Sequence, residues 1–194
     1  MRERILSAAT RLFVEESFQK TTMRRIAAAI EYTPGALYGY FKDKDAILYA
    51  IHIRGFDELV ERMRAALAGV GGPLEQLRAL GRAYLRFAVD NPAQYELMFV
   101  VHHKQIREDQ DWTPGLRAYD LLRDVVRAFL AERGRTDDPE ALAFACWSLV
   151  HGMVSLVLGD RCIMFPDGTF PALLDATLEH FLTTLAGRPA GGGR

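Results

Sequence analysis

Apolar side chains recur three and four residues apart along almost the whole of this chain, and alternation with period two is hard to find. That regularity points to an all-α protein. Ile5, Leu6, Ala9, Leu12 and Phe13 line one face of a first helix, and Met23, Ile26, Ala27 and Ile30 line a short second one. A third is expected from Pro34 to Phe41, with Leu37 and Phe41 four residues apart on one side. A long helix should run from Lys44 to Ala68, stopped by Gly69, Gly71, Gly72 and Pro73. Five more are expected over residues 74–89, 92–102, 115–133, 139–158 and 170–186. Their boundaries are Asn91-Pro92, Thr113-Pro114-Gly115, Gly134, Asp138-Pro139 and Pro166-Asp167-Gly168, all turn or N-cap chemistry. The expectation is nine helices and no strand.

The helix lengths imply two domains. Short helices are marginal alone, so the first three, crowded into residues 1–45, must share one small core. The remaining helices, 46–186, form a larger helical body, and the Gly/Pro-rich stretch 187–194 is expected to be a loose tail.

Charge is placed unevenly. The net charge is −1, with 24 Lys and Arg against 25 Asp and Glu, which carries no global nucleic-acid signal. Residues 1–45 nevertheless hold eight basic and six acidic side chains, and between Gln19 and Lys44 the balance is five to two. A small basic head sits on a mildly acidic body. Two cysteines, Cys146 and Cys162, are too few for a disulfide-stapled secreted scaffold and suit a reduced, cytoplasmic setting. No membrane span is expected, on the reading that no stretch of about 18 apolar residues exists. Residues 1–16 alternate in charge where a signal peptide needs an apolar run.

The head carries the more specific pattern. Thr22 can cap the helix opening Met23-Arg24-Arg25, and Thr33-Pro34 is an N-cap and first-position pair about three residues after that helix ends. Two short helices joined so tightly make a helix-turn-helix, whose second helix can enter a major groove. Arg24 and Arg25 oppose the helix macrodipole, so they either lie outward in water or receive a phosphate. Gly35, Ala36 and Gly39 keep one side of the second helix thin. Tyr38, Tyr40, Lys42 and Lys44 then interleave phenols with ammonium groups, suited to holding phosphate oxygens. Asp43 can cap the long helix. Phe13, Phe18, Leu37 and Phe41 already fill so small a core, so Tyr32, Tyr38 and Tyr40 do not all fit in it.

Ile5-Leu6-(x2)-Ala9-(x2)-Leu12-Phe13, Thr22-Met23-Arg24-Arg25-Ile26-Ala27 and Gly35-Ala36-Leu37-Tyr38-Gly39-Tyr40-Phe41-Lys42-Asp43-Lys44 together resemble the DNA-binding head of the TetR family, over residues 3–48. The resemblance implies an all-α homodimer, two heads on consecutive major grooves of a palindrome, and a C-terminal ligand domain. It also implies that Thr22, Thr33, Tyr38, Tyr40 and Lys44 contact the DNA backbone, with Thr33, Pro34, Gly35, Ala36 and Gly39 nearest the bases. The chain departs from the family pattern twice, with Glu31 for the turn glycine and Ser17 for the glycine after the first helix. Both positions often need φ > 0, so a strained or reshaped turn is expected. None of the groove-facing residues can make a bidentate base contact. Base reading is therefore expected to rest on thymine methyls, Tyr38, an arginine of the preceding helix and DNA shape.

In the body, Tyr84, Phe87, Pro92, Tyr95, Met98 and Phe99 form an aromatic and sulfur-rich run. Asn91-Pro92-(x2)-Tyr95-(x)-Leu97-Met98-Phe99, followed by Trp147-(x3)-His151-Gly152, resembles a C-terminal subtype of the same family. Such side chains are core or pocket lining. As a pocket, Tyr84, Phe87, Tyr95, Met98, Phe99, His102, Trp147 and His151 would take a small apolar effector. No metal is expected, since His102 and His103 diverge by about 100° on a helix and Cys146 and His151 are five apart. No nucleophile elbow, phosphate loop or paired-carboxylate motif is present, so neither an enzyme nor a cofactor is expected. The last two helices carry wide apolar faces, on Leu142, Ala145, Leu149, Met153 and Leu156 and on Leu173, Leu174, Leu178, Phe181, Leu182 and Leu185. This surplus fits a two-fold four-helix interface.

The expected function is a ligand-responsive regulator, a repressor binding double-stranded DNA as a homodimer and released by an apolar effector. The competing reading is a ligand-binding helical dimer whose head has lost DNA binding, motivated by Glu31 and by a recognition helix bare of base-reading side chains.

Overall fold

The computed structural model describes residues 1–99, 113–166 and 168–187. Among these residues there are nine α-helices and no strand: α1 (Arg2–Glu15), α2 (Met23–Ala29), α3 (Pro34–Tyr38), α4 (Lys44–Leu67), α5 (Pro73–Asp90), α6 (Pro92–Phe99), α7 (Thr113–Glu132), α8 (Pro139–Leu158) and α9 (Phe170–Gly187). The all-α architecture is as expected. The third helix is shorter than expected, ending at Tyr38 with Gly39 as its C-cap. Phe41 still reaches the core, because the amides of Tyr40 and Phe41 both donate to the Leu37 carbonyl, at 2.9 and 3.0 Å, in a tight turn.

The chain divides into two compact units. One takes the described residues of Met1–Glu58 and Asn91–Pro114, the other those of Leu59–Asp90 and Gly115–Arg194. The first unit thus extends beyond residue 45 and takes in α6. Its core joins Ile5, Leu6, Leu12 and Phe13 of α1 to Ile26, Leu37, Phe41, Ile47 and Ile51, with Leu97 of α6 packed among them. Burying Leu97 fully contributes about 1.5–3 kcal/mol and helps hold α6 in the first unit. The backbones of α4 and α6 approach closely at Gly55. A Cβ there would overlap Met98 Sδ and stand 3.1 Å from Nε2 of buried Gln94.

In the second unit α5, α8 and α9 pack on one another. A Cβ at Gly81 would stand 2.9 Å from both methyls of Leu178, so glycine lets α5 and α9 close up. Beside that contact runs an ionic seam. Arg78 Nε lies 2.7 Å from Glu179, and Arg82 reaches Asp175 at 2.7 Å and Glu179 at 3.2 Å. The end of α9 is tied back by Arg133 and Arg135, which donate to the carbonyls of Ala186 (3.1 Å) and Leu185 (3.0 Å).

One expectation is corrected. α8 is long and apolar enough to cross a membrane, with a mean hydropathy of 1.9 over an 18-residue window. Ser148, His151, Gly152 and Ser155 break up the run to the eye, yet Ala141–Leu158 contains no Asp, Glu, Lys or Arg. Ala143, Cys146, Val150 and Val154 form its buried stripe, whereas Phe144 and Leu156 are more than half exposed.

Candidate functional site

The exposed surface of the head is built on α2, α3 and the start of α4. Thr22 caps α2 as expected, accepting from the Arg25 amide at 3.2 Å, and Asp43 Oδ1 accepts from the Ala46 amide at 2.7 Å. Thr33 occupies the N-cap position of α3, but its side chain makes no capping bond and the residue is exposed. Leu37 alone anchors α3 inward, 1% exposed. Gly35, Ala36 and Gly39 lie on the surface, with Tyr38 57% and Tyr40 50% exposed.

Among the described residues, none crowds the glycines of this rod. Gly39 has φ −70°, which any residue adopts. A Cβ at Gly35 would meet only Thr33 Oγ1, at 3.9 Å, and one at Gly39 only the Ala36 carbonyl oxygen, at 3.6 Å. Both are ordinary contacts. Among the described residues, α3 thus presents a thin and open surface.

Both turns hold non-glycine residues in left-handed backbone, Ser17 at φ 70° and Glu31 at φ 61°. This is the strain the departures led us to expect, about 1–2 kcal/mol each. The α2–α3 turn is braced by Arg4, whose guanidinium donates to the Ile30 carbonyl at 3.2 Å and stacks over the Tyr32 ring at 5.3 Å. Sequence reasoning missed Arg4, whose partner lies 26 residues away.

The cations differ in how they are engaged. Arg24 is exposed at the start of α2. Arg25 is held by Glu16, with Nε at 2.9 Å and the terminal nitrogen at 2.6 Å from the same carboxylate oxygen. That bond pushes the Arg25 pKa further up. Lys44 turns onto the α1–α2 connection and donates to the carbonyls of Phe18, Gln19 and Thr21.

The residues expected to line a pocket fall into both units. Tyr95 and Met98, each 1% exposed, lie in the first, where Tyr95 packs on Phe99 at 4.7 Å between centroids and Phe99 on Phe56 at 5.4 Å. His102 and His103 lie outside the described residues. Tyr84, Phe87, Trp147 and His151 lie in the second unit. Phe87 is 0% exposed, with the Arg62 guanidinium 5.6 Å from its ring centre.

Tyr84 Oη lies 3.1 Å from His151 Nδ1, and the Trp147 and His151 rings are 5.7 Å apart. Tyr119 and Phe144, which the sequence did not single out, stand edge-on to Trp147 at 6.2 and 6.0 Å. Burial lowers the His151 pKa, favouring neutral imidazole. The same effect pushes the Cys146 thiol up to about 12, so this cysteine is protonated and unreactive at neutral pH. Among the described residues no three His, Cys, Asp or Glu side chains converge as a metal site needs. A groove of about 240 Å³ lies in the first unit, lined by Ser7, Thr10, Arg11, Val14, Glu15, Arg54 and Ala93, none of them an expected site residue.

Comparison with known proteins gives this geometry its context. A family model described as bacterial regulatory proteins, tetR family, matches residues 5–51, and one described as tetracyclin repressor-like, C-terminal domain, matches residues 77–185. The HTH-type transcriptional repressor Rv1474c of Mycobacterium tuberculosis is 39% identical over 186 residues, covering 92% of this chain and 89% of that protein. The HTH-type transcriptional regulator HbdR of Aromatoleum sp. (strain CIB) is 36% identical over 76 residues, 39% of this chain and 33% of that protein. The chain thus matches about a third of that relative's length. The crystal structure of the TetR family transcriptional regulator PfmR from Thermus thermophilus superimposes with a TM-score of 0.73 at 25% identity, covering 100% of this chain and 98% of that one.

Proposed function

The chain belongs to the TetR family of helix-turn-helix transcriptional regulators, and from that premise we propose that it is a repressor that binds a palindromic operator as a homodimer and is released by a small apolar effector. Residues 1–45 are the DNA-binding head, residues 46–186 bind the effector and the second copy, and the work is done in the cytoplasm, where the DNA is. The exposed rod of α3 carries this reading, because its glycines keep it thin and, among the described residues, nothing crowds them. A thin helix can press its backbone into a major groove. Thr22, Arg24, Tyr38 and Tyr40 then hold phosphate oxygens on either side, and Thr33, Pro34, Gly35, Ala36 and Gly39 face the bases.

The effector is held in the second unit by Tyr84, Trp147 and His151, the last two belonging to a Trp-x3-His-Gly form of the C-terminal domain. A buried phenol hydrogen-bonded to a neutral imidazole suits an uncharged, largely apolar molecule with one polar group. The second copy covers α8. Phe144 and Leu156 are exposed, and among the described residues outside its own helical backbone a Cβ at Gly152 would meet nothing within 4 Å, so a partner helix can pass there closely. Effector binding shifts α4 and changes the separation of the two heads in the dimer, which must stay near one helical turn, about 34–36 Å.

The competing reading rests on Glu31. In this chain Glu31 takes the left-handed backbone that the turn requires, so its side chain leaves the turn geometry in place. Selection from a library of random duplexes by the purified full-length chain tests the proposal. Recovered duplexes should share an inverted repeat whose half-sites lie about 10 base pairs apart, centre to centre. Recovery without any common sequence would favour the ligand-binding dimer.

A further inference from the structure

Lys44 follows Asp43, the cap of α4, and the family pattern suggests that its ammonium meets a phosphate. Its surroundings indicate another role. The connection between α1 and α2 turns at Ser17 in left-handed backbone, φ 70°. Three carbonyls of that connection accept from Lys44 Nζ: Phe18 at 2.8 Å, Thr21 at 3.2 Å and Gln19 at 3.3 Å. An ammonium has three N–H groups, and these three carbonyls can engage them all in the free protein. The charge also lies 4.3 Å from the centre of the Phe18 ring. Phe18 is buried and stands edge-on to Phe13 at 5.0 Å, which ties the cation to the core.

The connection is tied from the other side as well. Thr21 is 0% exposed, and its hydroxyl is shared between the carbonyls of Ser17 (2.9 Å) and Leu12 (3.2 Å). The next residue is Thr22, the cap of α2. Any displacement of the connection therefore displaces the start of the helix-turn-helix. We propose that Lys44 is a positioning residue for DNA binding, a clasp that fixes the α1–α2 connection and with it the start of α2, and that its ammonium makes no phosphate contact. The DNA part of this inference rests on the function proposed above; the clasp itself does not.

The test uses the full chain with Lys44→Met, which keeps the apolar stem and removes the donors. In the free protein, amide hydrogen exchange over residues 17–22 should quicken about tenfold or more while that of α5 stays as in the parent. Unchanged exchange over 17–22 overturns the clasp. For DNA, the probe is a duplex recovered by the parent from a random library, titrated at a temperature where circular dichroism shows both proteins folded. Affinity should fall about tenfold or more, with the slope of log K against log salt unchanged. A slope shallower by about 0.9, the signature of one lost phosphate contact, overturns the proposal, as does unchanged affinity. Should Lys44→Met fail to fold, the double variant Ser17→Gly, Lys44→Met, in which glycine relieves the left-handed turn, carries both readings. If the parent recovers no duplex, the DNA reading fails and hydrogen exchange still decides whether Lys44 holds the connection.

Discussion

Tyr84 Oη and His151 Nδ1 lie 3.1 Å apart, joining α5 to α8 through the only ionisable ring on α8. Tyr84 is 6% exposed, and that bond helps satisfy its hydroxyl. Replacing it by Phe should lower stability by about 1 kcal/mol, read as the shift in a urea denaturation midpoint.

The same pair sets a pH dependence. Burial lowers the His151 pKa below its ordinary value of 6.5. The unfolded chain therefore takes up the proton first as pH falls, and stability drops with it. The contribution is complete above the ordinary imidazole range and is lost as pH falls through it toward the lower folded value. Denaturation midpoints of the parent should decline between about pH 7 and 5, and His151→Gln should flatten that decline. Equal slopes for the two proteins would remove His151 as the cause.

Gly81 and Gly152 should respond oppositely to alanine. At Gly81 the added methyl meets both methyls of buried Leu178 at 2.9 Å, and Gly81→Ala should cost about 1–3 kcal/mol in thermal or chemical unfolding. At Gly152 an added Cβ meets nothing among the described residues beyond its own helical backbone, so alanine should leave the folded chain intact. It should instead weaken the association of two copies, measured by sedimentation equilibrium.

Glu31→Gly should stabilise the head by about 0.5–1 kcal/mol. Glycine removes the left-handed penalty of about 1–2 kcal/mol and returns part of it as greater freedom of the unfolded chain. A denaturation midpoint that falls in this variant would show that the Glu31 side chain makes an interaction worth more than the strain.

These residues also show why part of the molecule is legible in its sequence. Thr22 and Asp43 act through amides three residues ahead, so a local pattern reveals them. The exposed tyrosines follow from volume, because Phe13, Phe18, Leu37 and Phe41 fill the small core. Charge alone assigns Lys44 and Arg25 to phosphate. Their partners, 23 to 26 and nine residues distant, are set by the tertiary fold. The aromatic run at Tyr84–Phe99 is ambiguous for a different reason. Helical spacing is the same for core and pocket lining, and Tyr95 and Met98 are core to the first unit while Tyr84 meets His151 in the second.

The central claim is that the slim rod of α3 enters DNA, and Gly35→Val tests it most directly. Its position is open in the free protein, with Thr33 Oγ1 as the nearest neighbour at 3.9 Å, so the fold should hold by circular dichroism. Fluorescence anisotropy against a duplex recovered by the parent should show affinity reduced by about tenfold to a hundredfold, because the side chain would fill the space the bases need. A folded Gly35→Val that binds that duplex as tightly as its parent would contradict the account.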